Sequence, residues 1–120
     1  MRSILLPILR RSTRFLILVS VLLSSCSGNQ ADSGQAALTR LECGACHVIP
    51  GITGARGQVG PPLDMYSRRV YIAGKFPRDE ALLARWIADA PSLSPGTAMP
   101  KIDMTPDEAR AIAVYLYSLK

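Results

Sequence analysis

Residues 43–47 read Cys-Gly-Ala-Cys-His, and this run constrains the fold of the chain more than any other feature. Two thiols separated by two residues match the spacing of the two vinyl groups of a porphyrin, so each can form a thioether bond to haem. The adjacent imidazole of His47 can then reach the iron. The run therefore predicts one covalent haem c, with Cys43 and Cys46 as attachment sites and His47 as an axial ligand.

Other interpretations of these thiols fit the rest of the chain less well. A thioredoxin-like pair would need a βαβ pattern, and no alternating apolar run flanks residues 43–47. A structural zinc site needs four ligands. The chain has three cysteines and one histidine, but Cys26 lies in a predicted processing site, so only three ligands remain. A disulfide between Cys43 and Cys46 would leave His47 unexplained.

Residues 1–25 are typical of an export signal that is removed. Four arginines at positions 2, 10, 11 and 14 precede an uncharged apolar stretch over 15–23. That stretch is too short for a membrane-spanning helix, which needs roughly 20 apolar residues. We expect general secretion, because haem is attached to an unfolded chain outside the cytoplasm.

Residues 23–26, Leu-Ser-Ser-Cys, resemble the lipobox of bacterial lipoproteins, in which the cysteine is lipidated and becomes the first mature residue. The alternative is an ordinary signal peptide with an incidental Cys26, but no small-x-small cleavage site follows. Several acyl chains on Cys26 would anchor the protein to the periplasmic or outer face of a membrane. Residues 26–33 are predicted to be a lipidated N-terminus and flexible tether, followed by one domain over residues 34–120.

The charge balance argues against nucleic acid as a partner. The full chain carries +5, but four of its fourteen basic residues lie in the signal, which leaves ten basic and nine acidic residues. A nearly neutral mature chain offers no lysine-rich docking face. We expect a monomer with a weak, largely apolar docking patch.

Helical periodicity predicts an all-α domain with three to four helices around the haem. A first helix over 35–42 leads into the haem run, and a second over 78–89 carries an apolar stripe. A capping box at Thr105–Glu108 starts the last helix. The glycines and prolines of 50–62 indicate a long loop. Residues 63–71 could contain a short helix. No segment shows the alternating apolar pattern of a strand.

The second axial ligand is expected to be a methionine, because the chain has no other histidine. Met1 is lost with the signal, Met65 follows the haem run too closely, and Met104 lies beside the capping box. Met99 lies in the irregular, proline-rich segment 95–100, where it can be aimed at the iron without disturbing a helix. The alternative role for any methionine is adaptable core filling.

These motifs together resemble class I monohaem cytochromes c over residues 33–120. They are the haem run near a first helix, Gly60-Pro61-Pro62-Leu63, and a Pro-Gly-Thr-x-Met loop before the last helix. The resemblance implies that His47 and Met99 are the axial ligands and that the Pro61 carbonyl accepts a hydrogen bond from the second ring nitrogen of His47. It also implies that Gly34 and Tyr115 meet where the first and last helices cross.

More loosely, residues 71–75 and Trp86-Ile87 are similar to a subgroup of small, exported bacterial cytochromes c associated with respiratory chains. On this resemblance Trp86 packs on the haem or donates to a propionate through its indole nitrogen. A core tryptophan is an equal alternative. Arg68, Arg69 and Tyr71 are further propionate candidates, and a solvated basic corner is the other reading of the arginines.

The expected function is one-electron transport. An iron with both axial positions filled has no open position for a substrate, so we expect a carrier and not an enzyme. It would pass electrons between membrane-bound donor and acceptor complexes, for example toward a terminal oxidase. The alternative is a small-ligand sensor or weak peroxidase with a labile Met99, although no distal histidine or acid is available to assist peroxide cleavage.

Overall fold

The computed structural model describes residues 29–120, so the predicted signal peptide and Cys26 lie outside the described residues. Four helices, two 3-10 turns and one hairpin make up this part: α1 (Gln30–Arg40), a turn at Cys43–Ala45, a turn at Tyr66–Arg68, β1 (Tyr71–Ile72), β2 (Phe76–Pro77), α2 (Glu80–Ala88), α3 (Ala90–Leu93) and α4 (Pro106–Ser118). The predicted all-α class is confirmed. Within residues 29–120 no helix is both long and apolar enough to cross a membrane.

Helix α1 begins five residues earlier than predicted and ends at Arg40. Residues 30–33 are therefore helical, and the prediction that they belong to a flexible tether is wrong. The side chain of Asn29 accepts a hydrogen bond from the backbone of Ala31 and caps the helix. The buried positions of α1, Gly34, Ala37 and Leu38, have helical spacing, so packing against α4 stabilises a segment whose composition alone suggested a linker.

Helices α1 and α4 cross at close range. A Cβ atom built on Gly34 would lie 2.1 Å from the carbonyl oxygen of Ala111 and 2.9 Å from the Cβ of Tyr115. The predicted meeting of Gly34 and Tyr115 is thereby confirmed. The Tyr115 hydroxyl also donates to the carbonyl of Pro50 at 2.8 Å, which ties the loop after the haem run to α4.

Helix α4 begins at the predicted capping box. The backbone N–H of Glu108 donates to the Thr105 hydroxyl at 3.2 Å, and the backbone N–H of Thr105 donates to the Glu108 carboxylate at 2.8 Å. Glu108 also forms an ion pair with Arg40 of α1. The backbone hydrogen bond from Thr105, followed by the bond from Arg40, lowers the pKa of Glu108. The buried positions of α4 include four residues at helical spacing: Ala109, Ile112, Ala113 and Leu116.

Helix α2 begins where Asp79 caps it, accepting from the backbone N–H of Leu82 at 2.7 Å. It ends at Ala88, close to the predicted boundary. Pro91 lies in the first turn of α3, where its missing N–H is not needed. The sequence did not predict this short helix.

The hairpin is another element that the sequence did not predict. Tyr71 pairs with Pro77 and Ile72 with Phe76, and Ala73 and Gly74 form the turn with positive φ angles of 51° and 69°. Each strand has two residues, which is too short for an alternating pattern to be recognised. Its turn lies at the edge of the cavity described below.

Candidate haem-binding site

A large cavity of about 890 Å³ lies beside α4. It is near the upper end of the volumes that small-molecule sites have, roughly 300–1,000 Å³. Buried aliphatic side chains of three helices form part of its wall: Leu38, Leu83, Ile87, Ile112 and Leu116. A cavity of this size and apolar lining suits a large, flat, apolar group.

The haem run reaches this cavity through a tight turn. After α1 the chain reverses at Glu42, which has a left-handed backbone with φ of 55°. The backbone N–H groups of Cys46 and His47 then both donate to the carbonyl of Cys43, at 3.3 and 3.1 Å. As a result Cys43, Cys46 and His47 all line the one cavity.

The state of the two thiols favours haem attachment over the alternatives. Both are free, so they do not form a disulfide with each other. Burial raises the pKa of Cys43, which is the opposite of the lowered pKa of a redox-active Cys-x-x-Cys thiol. The turn follows a helix and precedes a loop, so the βαβ setting of a thioredoxin-like pair is also absent from residues 29–120.

The imidazole of His47 is oriented by one hydrogen bond. Its Nδ1 lies 2.7 Å from the carbonyl oxygen of Pro61, the contact that the resemblance implied. A carbonyl oxygen can only accept, so Nδ1 carries the proton and Nε2 keeps its lone pair. His47 is therefore in the tautomer needed to bind a metal through Nε2.

The segment that supplies Pro61 is held against the haem run on both sides. Gly60 donates its backbone N–H to the carbonyl of Cys46, and Leu63 donates to the carbonyl of Val48, both at 2.8 Å. A Cβ atom at position 60 would lie 2.3 Å from Cε1 of His47. Only glycine allows this backbone to approach the imidazole so closely.

The methionines separate clearly by position. Met99 is partly buried and lines the cavity, and its backbone N–H donates to the Thr97 hydroxyl at 3.4 Å. Met65 is 47% exposed and does not line the cavity. Met104 also lines it, directly before the cap of α4. Two thioethers, those of Met99 and Met104, are thus available from within the cavity wall.

The two adjacent arginines have different surroundings, although both line the cavity. Arg69 donates from its guanidinium to the carbonyl of Pro62 and lies 4.9 Å from the centre of the Tyr66 ring. The backbone N–H of Arg68 donates to the carbonyl of Met65 at 3.0 Å, but its guanidinium forms no hydrogen bond or ion pair with any other residue of 29–120. All guanidinium donors of Arg68 are therefore available to a propionate, whereas the guanidinium of Arg69 already donates to Pro62.

The two aromatic candidates also line the cavity. Tyr71 lies at the rim and is 58% exposed. Trp86 packs against Phe76 with ring centres 5.9 Å apart, and its indole N–H has no hydrogen-bond partner within residues 29–120. Trp86 can therefore serve either of the roles implied for it, as a packing surface or as a donor.

Lys75 and Tyr66 are among the polar residues of the cavity wall that the sequence analysis did not single out. Lys75 lies in the hairpin turn and donates to the buried Ser94 hydroxyl at 3.0 Å, joining two loops at the cavity edge. Tyr66 is buried and lines the cavity, and burial raises its pKa to about 12. No spacing rule predicts the contact of Lys75, because it depends on how two irregular segments meet.

A family model described as Cytochrome c matches residues 31–120. The chain belongs to the cytochrome c family. Members bind haem c covalently with its iron, and the free thiols, the available Nε2 and the apolar walls of this cytochrome c fit that group. Its domain is a haem-based electron-carrier domain. Comparison with curated proteins and with solved structures gives no match.

Proposed function

We propose that this cytochrome c carries single electrons between membrane-associated respiratory complexes, for example toward a terminal oxidase, with His47 and Met99 as the axial ligands of its iron. One observation supports this above all: the thiols of Cys43 and Cys46, the imidazole of His47 and the thioether of Met99 share the wall of one apolar cavity.

The chemistry follows from these donors. Haem c, when bound, supplies a one-electron Fe(III)/Fe(II) couple. With His47 and Met99 as ligands, both axial positions of the iron would be filled, which would leave no position for a substrate and favours a carrier over an enzyme. Thioether sulfur favours Fe(II), and the apolar side chains keep water away, so we expect a relatively positive reduction potential.

Membrane attachment through acylated Cys26 is part of the proposal, as is membership of the small, exported, lipoprotein-type subgroup. Its support is the sequence over residues 1–26, with a basic start, a short apolar stretch and a lipobox-like end. The anchor would confine a monomeric carrier to the periplasmic or outer face of a membrane and raise its effective concentration near its partners. Replacing Cys26 with alanine should release the protein from membranes or block its processing.

The rim of the cavity supports docking by apolar contact. Val59, Val70 and Tyr71 line the cavity and are 74%, 67% and 58% exposed. Single exposed apolar residues are common, but three at the mouth of one cavity form a candidate docking patch. We therefore expect electron transfer to a purified oxidase to depend only mildly on ionic strength, and a steep dependence would contradict this surface.

Absorption spectra of three alanine variants test the ligand set. Met99→Ala should lose the methionine-to-iron charge-transfer band of the oxidised protein, gain high-spin character and bind CO when reduced. Met65→Ala should leave the spectrum unchanged, because Met65 lies outside the cavity wall. If Met104→Ala shows the loss instead, Met104 is the ligand.

The unmodified protein distinguishes carrier from sensor. A carrier with two firmly held axial ligands should show no spectral shift when CO is added to the reduced form. A shift at native pH would favour the sensor or peroxidase alternative, because it would show that the methionine ligand leaves readily.

A further inference from the structure

We propose that Arg69 is a positioning residue for the axial histidine. Its guanidinium holds the Pro61-Pro62 segment so that the carbonyl of Pro61 stays on Nδ1 of His47. The inference rests on the proposed role of His47 as an iron ligand, and it gives Arg69 a task different from binding a propionate.

The guanidinium of Arg69 is fixed by several contacts. It donates to the carbonyl of Pro62, and the same nitrogen lies 3.5 Å from the carbonyl of Asp64. The central carbon of the guanidinium lies 4.9 Å from the centre of the Tyr66 ring. The backbone N–H of Arg69 also donates to the carbonyl of Tyr66 at 3.1 Å. Because the guanidinium is planar and packs on an aromatic ring, it loses little conformational entropy when it forms these hydrogen bonds.

The proline pair transmits this restraint to Pro61. Prolines have no N–H, so between the anchored backbone N–H groups of Gly60 and Leu63 the main chain can form hydrogen bonds only through its carbonyls. The peptide between Pro61 and Pro62 is planar, and the ring of Pro62 fixes its φ. One free torsion, ψ of Pro62, therefore separates the two carbonyls. A donor that fixes the Pro62 carbonyl also limits the movement of the Pro61 carbonyl.

The restraint on the Pro61 carbonyl affects the imidazole of His47. The hydrogen bond to Pro61 fixes the tautomer of His47 and raises the donor strength of its imidazole. When the segment loosens, the bond should open more often and the Nδ1 proton should exchange faster with solvent.

Arg68 provides a matched control for the neighbouring arginine. It has the same charge and lines the same cavity, yet its guanidinium forms no hydrogen bond to a backbone carbonyl of residues 29–120. Arg69→Gln and Arg68→Gln each remove one positive charge from the cavity wall. Only Arg69→Gln also removes the bond to Pro62.

The test follows the Nδ1 proton of His47 in the reduced, haem-loaded protein with ¹⁵N-labelled histidine. The chain has a single histidine, so its signal needs no assignment. We expect the exchange rate in Arg69→Gln to rise about tenfold, as loss of a hydrogen bond from a charged group would allow, and the rate in Arg68→Gln to stay within about twofold of the parent. An unchanged rate in Arg69→Gln, or equal acceleration in both variants, would overturn the proposal.

If Arg69→Gln does not take up haem, the exchange rates of the charge-conserving variants Arg69→Lys and Arg68→Lys are compared instead. Faster exchange in Arg69→Lys than in Arg68→Lys supports the positioning role, and equal rates overturn it. The Nε2 resonance of His47 tests the proposed function separately. A large paramagnetic shift on oxidation shows that His47 binds the iron, and its absence would refute that ligand whatever the exchange rates show.

Discussion

Replacing Gly34 with alanine tests whether the α1–α4 crossing depends on the absence of a side chain. In an exposed helix this change stabilises, by roughly 0.5–1 kcal/mol, because alanine is the better helix former. Here the new Cβ would lie 2.1 Å from the carbonyl oxygen of Ala111, far inside the 3.4 Å at which ordinary contact begins. The obstacle is the backbone of a buried helix, so no flexible side chain can move aside.

The expected net effect is destabilisation. Overpacking costs about 1–3 kcal/mol, and a clash with rigid backbone belongs to the upper part of that range, about 2–3 kcal/mol. Subtracting a gain in helix propensity of about 1 kcal/mol leaves a net loss of about 1–2 kcal/mol. For a domain of this size that loss corresponds to a decrease in Tm of roughly 5–15 °C.

Thermal unfolding of the reduced, haem-loaded protein, followed by circular dichroism, measures the effect. Ala36→Gly is the control, because Ala36 lies on the exposed side of the same helix and should cost only about 0.5–1 kcal/mol. A Tm for Gly34→Ala that equals or exceeds the parent value would refute the crossing as described.

Three further changes test other parts of the structure. Gly60→Ala should reduce haem loading or broaden the low-spin spectrum, because its Cβ would displace the His47 ring; a normal spectrum with full loading would contradict the contact. Glu108→Gln keeps the capping box but loses the charge that pairs with Arg40. The pKa of Glu108 is lowered in the folded state, so its charge contributes stability above about pH 4.5 that is lost as the pH falls. The variant lacks this charge and should lose less stability in acid titrations. The pKa of Tyr66 is raised to about 12, so the protein should lose stability as the pH rises from about 10 through 12, and Tyr66→Phe should flatten that dependence in alkaline denaturant titrations.

The sequence predicted best where chemistry depends on local spacing. The haem run is five consecutive residues, and the capping box is four, so both can be recognised without knowing the fold. The contact between His47 and Pro61 and the crossing at Gly34 span longer distances in the chain. They were inferred because the family resemblance supplied the missing geometry.

The errors have physical causes as well. Residues 30–33 have the composition of a linker, and they are helical because the neighbouring face of α1 packs on α4. The hairpin has strands of two residues, and its positive φ angles at Ala73 and Gly74 leave no pattern that could be read in advance. Tertiary contacts decide both.

The different roles of Arg68 and Arg69 could not be read from the sequence either. Two adjacent arginines cannot be distinguished by residue type, and both were propionate candidates. Only the folded chain shows that the Arg69 guanidinium donates to Pro62, while the Arg68 guanidinium forms no hydrogen bond to a carbonyl within the described part of the chain.

Mass spectrometry of the denatured protein tests the central claim most directly, using material produced by cells with a working haem-attachment system. The account predicts that one haem stays on the chain after denaturation and that the double variant Cys43→Ser, Cys46→Ser loses it. A mature chain with the mass of the bare polypeptide would contradict the account.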